Sequence, residues 1–208
     1  MAQPIASSKV FETAVDALAG LPGIGRKSAM RLALFLLKQD KERTMGLGSA
    51  LIDLAENACF CKTCHNLSDT DLCAICANPV RKGKGLCVVE DLRDVLAIEA
   101  TAQFHGLYHV LGGRISPMDG VAPSDLNIES LLDRIRLREF DEVILALSPT
   151  MEGDTTAYFL YRKLAEYALR ITTLARGVGF GDELEFADEV TLGRSILQRQ
   201  PFEQTLRN

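Results

Sequence analysis

No apolar run in this 208-residue chain approaches the ~18 residues that a membrane span needs. The longest candidate, Leu32–Leu37, is closed off by Arg31 and Lys38. The first twenty residues have no apolar signal core and carry Glu12 and Asp16, so no secretory leader is expected. There is no internal repeat and no low-complexity tract. Neither sign of charge dominates: 23 Lys and Arg stand against 28 Asp and Glu, a net charge of −5. With 47% apolar and 25% charged residues, the composition excludes a disordered, collagen-like or disulfide-dense chain. A reducing cytoplasm is the expected location. There, six cysteines point to metal or structural thiols before disulfides.

What charge there is lies unevenly. Residues 1–50 hold seven basic side chains and four acidic ones, whereas Asp182–Glu189 holds five acids in eight residues. Local phosphate contacts matter more to nucleic-acid affinity than global charge. A basic end and acidic patches therefore imply different partners.

The pattern divides the chain into four pieces: 1–56, 57–80, 81–176 and 177–208. The first reads as all-helical. A helix over 9–19 carries Val10, Ala14, Val15 and Leu18 on one stripe. A second runs over about 26–38 and, after Gly46-Leu47-Gly48, a third over about 49–58. The second piece holds five of the six cysteines. From Leu86 onward strands and helices alternate: strands at 86–89, 107–111, 143–147 and 171–174, and helices at 91–100, 128–139 and 154–169. Such alternation predicts a mostly parallel sheet with helices on both faces. The last piece ends in a helix near 191–199. The fold class expected is α+β and multidomain.

Cys61-x-x-Cys64 and Cys73-x-x-Cys76 are separated by eight residues. Two such knuckles complete a closed tetrahedral shell, the arrangement of a structural zinc ion. The segment between them has too little apolar material for a core of its own, so metal binding supplies its folding free energy. Cys59 to Cys64 makes a poorer knuckle, Cys87 falls within a strand, and His65 follows a ligand too closely to share its ion. The competing reading is four buried or redox thiols.

Gly20-Leu-Pro-Gly23-Ile-Gly25-Arg-Lys27-Ser28 nearly matches a nucleotide phosphate loop, but such a loop must follow a buried strand, and here a helix precedes it. The better reading is a helix–hairpin–helix. Gly23 and Gly25 permit the tight turn and leave backbone N–H groups open at a helix start, where the dipole favours a phosphate. Lys27, Arg31 and Lys38 recur at helical spacing and can grip successive phosphates without reading bases. A capped helix with a solvated basic face remains the alternative.

Glu90 follows the 86–89 strand, and Glu152-Gly153-Asp154 follows the 143–147 strand. Residues just past the carboxyl ends of parallel strands converge on one crevice. Glu90, Glu152 and Asp154 are thus expected to cluster. Such a cluster can hold Mg²⁺ for phosphoryl chemistry, or dock a basic partner. The two acids at a helix start can also simply complement its dipole. Tyr108, Tyr158, Tyr161 and Tyr167 sit in apolar-patterned elements, where core packing is the expected role.

The order of these pieces resembles the RecR family of bacterial recombination mediators: a helix–hairpin–helix, a four-cysteine zinc module, a Toprim-type α/β domain and an acidic C-terminal segment. The stretches that carry the resemblance are Leu21–Gly25, the four-cysteine motif, Cys87–Glu90, Tyr108–Gly113, Ile115–Gly120, Pro149–Asp154 and Gly181–Asp188. The resemblance implies a non-enzymatic, DNA-binding protein that works with RecO and RecF to load RecA onto single strands at gaps and breaks. It also implies self-assembly into dimers and ring-like tetramers. It places Lys27 and Arg31 toward DNA, and makes Glu90, Glu152 and Asp154 a partner-contact surface. Glu152 stands where enzymatic Toprim domains have the first Asp of Asp-x-Asp. Residues 181–188 resemble a Walker B strand, but no phosphate loop accompanies them and ATPase activity is not expected. The alternative is a Mg²⁺-dependent nuclease or primase-like enzyme.

Overall fold

The computed structural model describes residues 8–81, 83–137, 140–179 and 181–201. They fall into two compact units, which divide after Ala58.

The first unit contains three helices: α1 (Lys9–Ala19), α2 (Arg26–Leu37) and α3 (Lys41–Asn57). Ser8 caps α1 by accepting from the Phe11 N–H. The buried stripe of α1 is Phe11, Val15, Leu18 and Ala19, packed on Ile24, Ala29, Met30 and Ala33. The expected stripe is one residue out of phase at its start: Val10 is exposed and Phe11 takes its place, at the i, i+4, i+7 spacing of a helix face. Small Ala29 and Ala33 let the two helices approach closely. Gly46 and Gly48 do not interrupt the chain as expected. They lie inside α3, where no neighbouring atom comes within 4 Å of an added Cβ. Glycine lowers helix propensity by only about 1 kcal/mol per residue, which the fifteen other positions of this helix offset.

The second unit opens with a two-residue ribbon, β1 (Cys59–Phe60) and β2 (Leu67–Ser68), and the short helix α4 (Ala74–Ala77). A four-stranded parallel sheet follows. Its strands are β3 (Gly85–Val89), β4 (Leu107–Val110), β5 (Glu142–Ala146) and β6 (Arg170–Thr173), in the order β4-β3-β5-β6. The connecting helices are α5 (Leu92–Ala100), α6 (Ile128–Leu137) and α7 (Met151–Leu164). Alternate residues of β3 feed two cores, as the period-2 pleat requires. Leu86 and Val88 pack with Leu131, Leu132 and Ile135 of α6 and with Leu160 and Leu164 of α7. Cys87 and Val89 pack on the other face with Val95 of α5 and with Tyr108. Helices cover both faces, as expected of a parallel sheet. Residues 138 and 139, placed by the sequence at the end of α6, lie outside the described residues.

The last element among the described residues is α8 (Glu189–Leu197), capped by the Asp188 carboxylate on the Thr191 N–H at 2.9 Å. Within 181–188, the stretch likened to a Walker B strand, the described residues form no strand. Leu184–Phe186 is a single 3₁₀ turn. No helix among the described residues is long and apolar enough to cross a membrane.

Candidate metal centre and nucleic-acid interface

The sulfurs of Cys61, Cys64, Cys73 and Cys76 all lie within 4.8 Å of one another, and no other group of three or more potential ligands gathers among the described residues. Backbone bonds shape each knuckle. The His65 N–H donates to the Cys61 carbonyl at 2.9 Å, and the Cys61 N–H to the Asn66 carbonyl at 2.8 Å. In the second knuckle the Cys76 N–H donates to Cys73 Sγ at 3.4 Å. Three of the four cysteines are fully buried. A tetrahedral ion with Zn–S bonds of about 2.3 Å needs sulfurs roughly 3.8 Å apart, and Cys64 and Cys73 stand at 3.5 Å. The donor set fits zinc.

Without a cation the four sulfurs cannot all ionise. Cys76 is pushed down to about 6, chiefly by its hydrogen bond with Cys64 and then by the Arg134 guanidinium. Cys64 is pushed far up by that same bond and by burial. Cys59 stays outside the cluster, its thiol directed at the Ser68 carbonyl at 3.2 Å. His65 also stays outside. It takes a left-handed φ of 60° and places Nε2 2.8 Å from Ser130 Oγ.

The cysteine module is fused to the sheet. The Val110 N–H of edge strand β4 donates to the Cys64 carbonyl at 2.8 Å, which covers part of an otherwise open edge. Ile75 packs on the cysteines and on both sheet cores.

In the first unit, Gly23 takes φ +77°, a conformation that disfavours any side chain. It turns the chain into Gly25, the N-cap of α2, which supplies no side-chain hydrogen bond. The first turn of α2 contains no acid either. Its leading N–H groups are therefore open to an anion. Lys27, Arg31 and Lys38 are exposed. Among the described residues Lys27 and Lys38 have no ion-pair partner, and Arg31 contacts only Ser28 Oγ, at 3.4 Å. Arg26 behaves differently. It joins Glu12 at 2.8 Å and also Asp16, tying α2 to α1.

Among the described residues, the three Toprim-region carboxylates do not gather into a group that could hold a metal ion. Glu90 is buried, and its Oε1 accepts from the Ser148 N–H at 2.7 Å while Arg114 lies 3.5 Å from Oε2. Asp154 pairs with Arg176 at 2.6 Å and Arg194 at 3.8 Å. The Arg176 guanidinium holds this carboxyl below the usual carboxylate range. Glu152 is half-buried, and its carboxylate makes no hydrogen bond or ion pair among the described residues. The reason for the separation is helical geometry. Glu152 and Asp154 are both in the first turn of α7, whose side chains fan about 100° apart per residue. Gly153 between them is buried against the β5–α7 turn. A Cβ there would sit 2.0 Å from the Ser148 carbonyl and 3.4 Å from Glu90 Oε1.

Two tyrosines depart from the core role expected of them: Tyr158 and Tyr161 are 63% and 52% exposed on α7. Tyr108 is fully buried, donating to Glu99 at 2.7 Å. Sequence reasoning also missed Arg134. One of its nitrogens lies 4.0 Å from Cys76 Sγ, and another donates to the Tyr108 carbonyl. Nothing in the α6 sequence distinguishes this arginine from its solvent-facing neighbour Arg136.

Family models match the chain in order along nearly its whole length. They are the RecR helix-hairpin-helix over residues 11–55, the RecR four-cysteine zinc finger over 58–78, a Toprim domain over 84–175 and the RecR C-terminal region over 177–200. Recombination protein RecR of Flavobacterium johnsoniae is 56% identical over 202 residues, covering 97% of this chain and 98% of that protein. This chain belongs to the RecR family. The RecR proteins of Porphyromonas gingivalis and Bacteroides fragilis agree, at 56% and 57% identity over 97% and 96% of the chain. Family membership makes it a DNA recombination protein with a DNA-binding hairpin and a structural zinc site of four cysteines, a set the sulfur geometry independently supports.

Proposed function

We propose that this RecR-family chain is a non-enzymatic mediator that binds DNA without sequence preference and, with RecO and RecF, helps load RecA onto single strands at gaps and breaks. The observation that carries this reading is the start of α2. An uncapped helix N-terminus opens beside exposed Lys27 and Arg31, with Lys38 at the far end of the same helix. These groups meet phosphates rather than base edges, so binding is sequence-tolerant and falls steeply with salt.

The work divides along the chain: 1–56 for DNA, 57–80 as a zinc strut, 81–176 as the Toprim partner surface and 177–208 for assembly. Among the Toprim acids, Glu152 is the one whose carboxylate is not engaged within the described residues, so it leads the contact with a basic partner. Glu90 shapes the loop beside it, and Asp154 flanks it. The separation of the three carboxylates favours docking over Mg²⁺-dependent phosphoryl transfer, which needs oxygens converging on one ion.

Self-association has support in α3. It contributes no buried side chain to its unit, and Met45, Leu47, Leu51, Ile52 and Leu54 are exposed along it. A unit of under sixty residues gains stability by burying such a face against another copy. Ring closure would add weak phosphate contacts through avidity.

The test is pull-down with RecO, wild type against Glu152→Ala, with and without gapped DNA. Loss of RecO with intact DNA binding supports the mediator. Cleavage or extension of labelled DNA with Mg²⁺ and nucleotides, abolished by Glu152→Ala, would instead reveal an enzyme.

A further inference from the structure

Helix α8 is weakly held. None of its side chains is fully buried, and Val190, Ile196 and Leu197 are largely exposed. Among the described residues, the hydrogen bonds of 177–201 stay within that stretch. The Val178 N–H donates to Ser195 Oγ at 3.1 Å, Ser195 Oγ to the Thr191 carbonyl at 2.9 Å, and the Gly179 N–H to Asp182 at 3.0 Å. Among the described residues, one polar contact crosses to the sheet domain: Arg194 to Asp154. The same carboxylate holds Arg176, three residues past the end of β6, at 2.6 Å. Asp154 therefore fastens both the root of the C-terminal segment and its helix. Between α8 and the sheet lies a groove of about 670 Å³, lined by Tyr158, Tyr161, Ile171 and Thr172 together with Arg194 and Gln198.

We propose that Asp154, Arg176 and Arg194 form an electrostatic latch that keeps α8 on the sheet domain, and that a cationic protein surface capturing Asp154 releases the helix. The second half rests on the reading of Asp154 as part of a contact for a basic partner. The physics is a competition. One carboxylate already shared by two guanidinium groups cannot serve a third cation at full strength. Partner binding and α8 docking thus oppose each other through a single group, and the coupling is reciprocal. Because Arg194 and Asp154 are both part-exposed, their attraction is modest and salt-sensitive. That is what a releasable contact requires.

Amide hydrogen exchange of the full-length, zinc-loaded protein tests the latch. Asp154→Asn and Arg194→Gln are each expected to speed exchange of the α8 amides roughly two- to fivefold, with β3 amides unchanged as the check that the fold persists. Arg162→Gln, which removes an exposed arginine of α7 that makes no ion pair among the described residues, should change nothing. Raising NaCl from about 50 to about 500 mM should speed α8 exchange in wild type and not in Asp154→Asn. Adding an oligoarginine peptide at matched ionic strength should speed it further, again only when Asp154 is present. Equal α8 exchange in wild type, Asp154→Asn and Arg194→Gln would overturn the latch. A latch that passes those arms but ignores the peptide would overturn release by a cationic partner. Neither result bears on whether Glu152 recruits RecO, which the pull-down reads separately.

Discussion

The Arg134 guanidinium stands 4.0 Å from Cys76 Sγ and also donates to the Tyr108 carbonyl of the adjacent strand. A metal bound by four thiolates carries two net negative charges. This buried cation faces that charge from α6 and links the metal site to the sheet. Partners outside the ligand shell commonly tune metal affinity by about 10–100-fold. Arg134→Leu should weaken zinc binding by about that factor, read by competition with a chromophoric chelator. Cys73→Ser should abolish stoichiometric zinc altogether and lower the melting temperature, since the module has no apolar core to replace the ion.

Acid should destabilise the fold partly through His109. Its ring is fully buried, Nε2 lies 2.8 Å from the Asn127 carbonyl, and Nδ1 has no partner among the described residues. Burial lowers its pKa to about 3. An unfolded histidine titrates near about 6.5, so between that pH and about 3 the unfolded state binds one more proton at this site. Stability then falls as pH falls, by about 1.4 kcal/mol per pH unit from this residue. Urea titrations of wild type and His109→Phe between about pH 6 and 4.5 should differ in slope by close to that amount. Thiol protonation is common to both proteins.

Gly153→Ala forces a methyl group against the Ser148 carbonyl, which cannot yield without moving the β5–α7 turn. A loss of about 3 kcal/mol is expected by chemical denaturation, together with weaker recruitment of a basic partner, because the turn positions Glu152.

Much of this was legible in the sequence because periodic patterns and metal spacings are local signals. The four parallel strands, α5, the described part of α6 and the four-cysteine cluster stand where the pattern put them, whereas α7 runs over Met151–Leu164 rather than 154–169, because Thr150 caps it early on the Gly153 N–H. What escaped was set by rotation or by distance. The α1 stripe moved because Phe11 outcompetes Val10 for the contact with Ala33's helix. Glu90, Glu152 and Asp154 share the carboxyl ends of two adjacent strands, yet α7 rotates the last two apart, and the C-terminal segment supplies Arg176 and Arg194, both distant in sequence, for Asp154. Tyr158 and Tyr161 look apolar in pattern, but the groove they line is left open by an edge strand. Arg134 could be found only by knowing that α6 crosses behind the cysteines.

Duplex and single-stranded DNA binding as a function of salt, for wild type and for Lys27→Ala/Arg31→Ala, bears most directly on the claim that the glycine hairpin is a phosphate grip. The slope of log K against log salt should fall by about two for the double variant, with zinc content and partner binding retained. Identical isotherms and identical slopes would contradict the account, leaving α2 as a helix whose charges meet only water.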